Sequence, residues 1–211
     1  MATTTNYGWT TPDNTDLVKD GALAIRTLGS AIDTSMNTAL GTKKAGMVLL
    51  NTTSFSAVAS QSVNNVFSST YDHYRVVVTL TAITNDTDFR LRFRVSGADD
   101  SNNVYFFGHY GRQITSGAIV SASGVSTAYV LNQVDAGNSN ASYVYDNMFF
   151  YPFATQRTTG HTYQGFYDNA GSYFMLNGGL RFDNTTSFDG FSIFVAAGSM
   201  TGSVSVYGMN K

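Results

Sequence analysis

The hydrophobic pattern of this chain changes period once. From Thr10 to Leu40, apolar residues recur with helical spacing. Val18, Ile25, Ile32 and Ala39 repeat every seven residues, and Ala22, Gly29 and Met36 fall four residues after the first three of them. That is a heptad seam. Leu17, Ala24, Leu28 and Ala31 widen the apolar face. Pro12 suits a first helical turn, Asp13, Asn14, Thr15 and Asp16 offer N-cap oxygens, and Gly41 with Lys43 and Lys44 suits the exit. Gly21 and Gly29 each cost about 1 kcal/mol relative to Ala, so the helix is marginal alone in water. Two arrangements cover its apolar face: packing on the chain's own β-domain, or a short parallel bundle of three copies. The small residues of the seam favour the bundle.

From Met47 the period is two. In the run from Asp88 to Val95, Phe89, Leu91, Phe93 and Val95 point one way, and Arg90, Arg92 and Arg94 the other. Tyr74, Val76, Val78, Leu80 and Ala82 alternate likewise, and the turn-rich link 83–88 between the two runs has hairpin length. Further short alternating runs follow to the C-terminus, separated by Gly, Asn, Asp and Ser clusters. Many short strands with regular turns and no second helix predict a mainly β protein. Its expected form is an N-terminal α-helix with linker over 1–46, followed by an antiparallel, jelly-roll-like β-sandwich over 47–211.

Charge sharpens this picture by exclusion. The chain has 12 Lys and Arg against 14 acidic residues, all Asp, for a net charge of -2. Neither half has the basic excess of a nucleic-acid binder, so no nucleic-acid partner is expected. There is no Cys, hence no disulfide or thiolate site. No apolar run approaches the roughly 18 residues of a membrane span, and Lys and Arg are too few along the front segment for leaflet insertion. The opening residues MATTTNYGW have neither the basic start nor the apolar core of a signal peptide.

Candidate chemistry is sparse. The three histidines, His73, His109 and His161, lie in or beside strands, where a structural role is expected of each. No GxSxG elbow is present, and the paired carboxylates Asp86–Asp88 and Asp99–Asp100 sit in turn sequences. An enzyme is not expected, nor a cofactor. The oxygen-rich stretches 85–89 and 183–189 lack EF-hand spacing, so no metal ligands are assigned. Arg90, Arg92 and Arg94 would stand about 7 Å apart on one face. They are either bound to Asp on neighbouring strands or free to grip an oxyanion. Two aromatic stretches, 105–112 and 161–169, offer rings that can stack on sugars. They contribute Tyr110, Arg112, Tyr163 and Tyr167 as candidate ligand residues.

The segment NYGWTTPDNTDLVKDGALAIRTLGSAID (6–33) resembles the N-terminal region of tailed-bacteriophage virion proteins, often of fibre type. VNNVFSSTYDHYRVVV (63–78), LRFRVSG (91–97) and the closing VSVYGMNK (204–211) are similar to the compact β-domains that follow it in such proteins. The resemblance implies a non-enzymatic virion component, oligomeric and often trimeric, exposed on the phage tail or capsid surface. On that expectation, Val18, Ala22, Ile25, Leu28, Gly29, Ile32 and Met36 join copies into a homotrimer. Tyr7 and Trp9 dock to other virion proteins, and the β-sandwich of a short tail fibre binds a host-surface glycan. The alternative is a purely structural capsid decoration or fibre protein.

Overall fold

The computed structural model describes residues 2–13, 15, 17–40, 46–132, 136–137 and 142–209. The chain divides into two compact units, Met1–Ala45 and Gly46–Lys211.

In the first unit, β1 (Ala2–Thr3) and β2 (Thr10–Thr11) pair antiparallel, and a 3-10 turn, Val18–Asp20, leads into helix α1, Gly21–Leu40. The helix therefore starts well after Pro12, which corrects the expected start. The hairpin carries the chain up to Thr11, and Leu17 remains extended at φ -70°, ψ 136° as an N-cap without a side-chain hydrogen bond. Of the expected caps, Asn14, Asp16, Gly41, Lys43 and Lys44 lie outside the described residues, as does the side chain of Ala39. The two apolar sets divide only in part, since Leu17 of the second is exposed and Ile32 of the first is half-buried. Ala24, Leu28, Ala31 and Ile32 are half-buried, whereas Val18, Ala22, Ile25, Gly29 and Met36 are exposed.

The second unit is an antiparallel β-sandwich. Its strands are β3 (Met47–Val58), β4 (Ser60–Val63), β5 (His73–Ile83), β6 (Phe89–Val95), β7 (Ala98–Asp99), β8 (Tyr105–Gln113), β9 (Ile119–Ser126), β10 (Tyr129–Val130), β11 (Tyr143–Phe150), β12 (Thr159–Tyr167), β13 (Tyr173–Phe182), β14 (Gly190–Val195) and β15 (Met200–Met209). One sheet has eight strands in the order β3-β15-β5-β11-β12-β13-β8-β9. The other has five, in the order β10-β6-β14-β4 with β7 on β6.

The core lies between the sheets and is aromatic. Phe93 of the smaller sheet is its hub, meeting Phe188 at 4.6 Å, Phe149 of the larger sheet at 5.1 Å and Tyr129 at 5.6 Å between ring centroids. Phe89 meets Tyr145 across the same gap at 4.4 Å. The buried Tyr105 hydroxyl donates to Asp100 O at 2.7 Å and accepts from Phe93 N–H at 3.1 Å, and burial pushes its pKa up. Burying each such ring stabilises the fold by about 1.5–3 kcal/mol, which explains why so many aromatics follow Gly46.

Three local expectations need correction. β5 and β6 are not a hairpin: both edges of β5 are occupied, by β15 and β11, so the chain crosses to the other sheet. The link is tied elsewhere, with Thr84 N–H donating to Ser199 O at 3.0 Å and Thr87 bridging Ala136. The alternation of β5 also breaks. A bulge opposite Thr201–Gly202 lets Ile83 be buried, and Ala82 is only partly so. At that bulge, a Cβ on Gly202 would lie 2.1 Å from Thr79 O, so only glycine fits. Finally, Val95 is exposed where β6 runs past the core.

Candidate functional site

The two outer faces of the sandwich carry the expected ligand residues. On the five-stranded sheet, each arginine of the β6 row is engaged within the domain. Arg90 pairs with Asp88 at 2.5 Å. The Arg92 guanidinium donates to Thr127 O at 2.8 Å and lies over the Phe194 ring at 4.8 Å. Arg94 binds Asp99, Gly97 O, Ser62, Asn64 and Ser192, with its side chain only 13% exposed. The row is a structural lattice joining β6 to β4, β7 and β14.

The opposite outer face is built differently. Register across the eight-stranded sheet places Ser121, Tyr110, Asn177, Tyr163 and Asp146 side by side on β9, β8, β13, β12 and β11. Tyr110 and Tyr163 are 58% and 59% exposed and stand two strands apart, about 10 Å between backbones. Asn177 lies between them. The next transverse row is Ser123, Gly108, Gly179 and His161. Neither glycine has a positive φ, and a Cβ on Gly179 would meet nothing within 4 Å. Their missing side chains therefore leave an open trough of about 860 Å³, walled by Tyr110, Tyr163, His161, Ser121 and Ser123. It continues along the strands over Gly179 towards Phe106, whose ring carries the Arg181 guanidinium at 4.6 Å.

A buried brace fixes the spacing of the tyrosines. His109 and Gln164 point inward from the residues next to Tyr110 and Tyr163, and Gln164 Nε2 donates to His109 Nδ1 at 2.9 Å. That acceptor role requires the proton on Nε2, which donates to Val130 O at 2.7 Å. Burial lowers the His109 pKa, favouring this neutral ring. The bond passes beneath β13 at Gly178, where a Cβ would lie 2.7 Å from His109 Nδ1. The brace thus links β8 to β12 across the intervening strand.

The expected ligand residues therefore separate into groups. Tyr110, Tyr163 and Arg112 share the outer face of the larger sheet; Arg90, Arg92 and Arg94 lie on the other outer face. Tyr167 is half-buried against the core, with its ring 4.8 Å from Tyr173. Sequence reading missed Asn177 and the glycine floor. It also assigned His161 a structural role, whereas that ring is exposed, edge-on to Tyr163 at 5.7 Å. In the first unit, Trp9 is half-buried and donates from Nε1 to Ser35 Oγ at 2.9 Å, with the exposed Tyr7 ring stacked on it at 5.0 Å. Among the described residues, no group of three or more His, Cys, Asp or Glu side chains could hold a metal ion.

This arrangement suits a flat, hydroxylated body. Aromatic faces stack on its C–H surfaces, and Asn177 offers both a donor and an acceptor to its hydroxyls. No helix is long and apolar enough to cross a membrane among the described residues. No family model and no curated protein matches the chain. Among solved structures, it is similar to the crystal structure of Caenorhabditis elegans galectin LEC-6, with 14% identity and a TM-score of 0.35, over 74% of this chain and 95% of that one.

Proposed function

We propose that this chain is a non-enzymatic virion component of a tailed bacteriophage, a short trimeric tail fibre whose β-sandwich holds host-surface glycan. The observation that carries the binding role is the Tyr110–Asn177–Tyr163 row above a glycine floor, an open trough with stacking walls and an amide at its base. The virion role is supported by the resemblance of residues 6–33 to phage structural proteins. Trimerisation is supported by the heptad seam on α1, where Ile25 is 65% and Met36 53% exposed in the single chain, while Val18 lies ahead of the helix in the 3-10 turn. Apolar side chains at that spacing are covered when copies associate. Leu28 and Ile32, half-buried within their own unit, contribute to the helix's local packing instead.

Calorimetric titration of the full chain with host envelope polysaccharide tests the binding role. Replacing Tyr110 and Tyr163 together by Ala should weaken binding by about 30-fold or more, since exposed aromatic anchors each contribute about 1 kcal/mol or more; undiminished binding would remove the trough from the reading. Ile25→Asp should convert trimers to monomers in sedimentation velocity, and a persistent trimer would reject the helical seam. A second reading, capsid decoration, draws on the exposed Ile119, Val144 and Met175 near the trough, which suit a protein partner. Imaging the labelled chain on intact particles separates tail from shell.

A further inference from the structure

The charge inventory of the sandwich identifies the class of glycan, building on the binding role proposed above. Seven arginines lie in this unit. Arg75 is held by Asp146, Arg90 by Asp88, Arg94 by Asp99, and both Arg157 and Arg181 by Asp183. Arg92 is bound to Thr127 and stacked on Phe194. Arg112 is the exception: among the described residues it is exposed and makes no ion pair.

Its position is specific. Arg112 follows Tyr110 by two residues on β8, so both project from the same face, about 7 Å apart. Across the sheet it is flanked by Ile119 on β9 and Met175 on β13, both exposed and apolar. These neighbours offer no carboxylate and thin the local water, which strengthens attraction to an incoming anion. The carboxylate in the tyrosine row, Asp146, is already taken by two hydrogen bonds from Arg75, at 2.8 and 2.5 Å. The far end of the trough is also cationic, but Arg181 there lies over the Phe106 ring and 3.4 Å from Asp183, a carboxylate it shares with Arg157. Among the described residues, a guanidinium without an ion pair therefore stands at the Tyr110 end of the trough.

We infer that the trough takes an acidic oligosaccharide, with one sugar ring between Tyr110 and Tyr163 and the carboxylate of an adjoining uronic-acid-type residue on Arg112. A single guanidinium matches a single planar carboxylate in charge and in bidentate geometry. A phosphate monoester, near two negative charges at neutral pH, would call for a second cation.

The test titrates the full chain with a tetrasaccharide of uronic acids, its carboxyl-reduced counterpart, and a neutral tetrasaccharide bearing one phosphate monoester. The acidic form should bind about 10-fold tighter than the reduced form at 50 mM salt, and the advantage should shrink at 500 mM. Arg112→Gln should bring the acidic form down to the level of the reduced one, while binding of the reduced form stays unchanged. Arg112→Lys should keep part of the preference, and Arg90→Gln all of it. Equal binding of acidic and reduced forms, a preference surviving in Arg112→Gln, equal loss in Arg90→Gln, or tighter binding of the phosphorylated probe would each overturn the acidic assignment, leaving the glycan-binding role intact. Binding of none of the three probes, with the Tyr110 and Tyr163 double variant no different, would overturn both.

Discussion

On the five-stranded side of the sandwich, three arginines project from one strand, and each meets a partner brought by the fold: Asp88, Thr127, and the set around Asp99 and Ser192. On the eight-stranded side, Tyr110, Asn177 and Tyr163 project from three different strands and stand largely in solvent. Both faces come from strands whose alternate residues point outward. The difference lies in what stands beside them. The arginine row is crowded by short strands and turns, so each guanidinium is engaged internally, two by Asp and Arg92 by Thr127 and the Phe194 ring. The tyrosine row is bordered by glycines, so nothing fills the space between its rings. A row of like charges along one strand is thus consumed by partners that the fold brings, whereas an aromatic row across strands, next to missing side chains, leaves open space between its rings.

Removing Arg94 gives the largest effect that separates the two faces. Its guanidinium holds Asp99, Ser62 and Ser192, and truncation leaves the Asp99 carboxylate and those hydroxyls without their cation. Arg94→Ala should lower stability by about 2 kcal/mol in chemical denaturation, less than for a fully buried pair because Asp99 is partly exposed. Glycan affinity measured well below the transition should not change. If Arg94→Ala kept full stability and lost binding, the assignment of the two faces would be reversed.

Filling the trough tests the other side. Gly179→Leu places a branched side chain where a Cβ meets nothing, so stability should move by less than about 1 kcal/mol. Binding should fall by about 10-fold or more, since the added atoms occupy the space beside Tyr163 and His161. Unchanged affinity with unchanged stability would show that the ligand does not descend to the glycine floor.

The sequence made much of this visible, and the limits are physical. Strict alternation identified β6 and β5 because a sandwich strand with one dry face must alternate. It could not reveal that the two lie in different sheets, because sheet membership depends on which edges are free. β9 gives little signal, because its residues Ser121, Ala122, Ser123 and Gly124 are small and carry little hydrophobic contrast. The aromatic stretches 105–112 and 161–169 were singled out for their rings. Their meeting across Asn177 depends on register, which no local pattern encodes. His161 and His109 looked alike as strand histidines; alternation relative to Tyr105 and to the Tyr163–Gln164 pair puts one outside and one inside. A usable signal lay in the paired motifs His109-Tyr110-Gly111 and Gln164-Gly165 after Tyr163, where an inward polar residue adjoins an outward tyrosine.

Acid gives the smallest and most selective change, through the brace beneath the tyrosine face. His109 has a pKa lowered by burial, while in the unfolded chain it titrates near 6.5. The unfolded state therefore binds more protons as pH falls below about 6.5, and the stability contributed by neutral His109 is present above that value and lost towards the lower folded pKa. Protonation would also put a hydrogen on Nδ1, which breaks the bond accepted from Gln164 Nε2 and forces the amide to turn its unpartnered Oε1 to the ring, disturbing the tyrosine spacing. Between pH 7 and pH 5, wild type should lose stability and glycan affinity together, whereas His109→Gln should flatten this component of the stability profile. Arg94→Ala should keep the wild-type pH dependence, because its partners lie on the other sheet. If His109→Gln and wild type show the same pH profile, the imidazole titrates freely in the folded state and the brace does not control the tyrosine face.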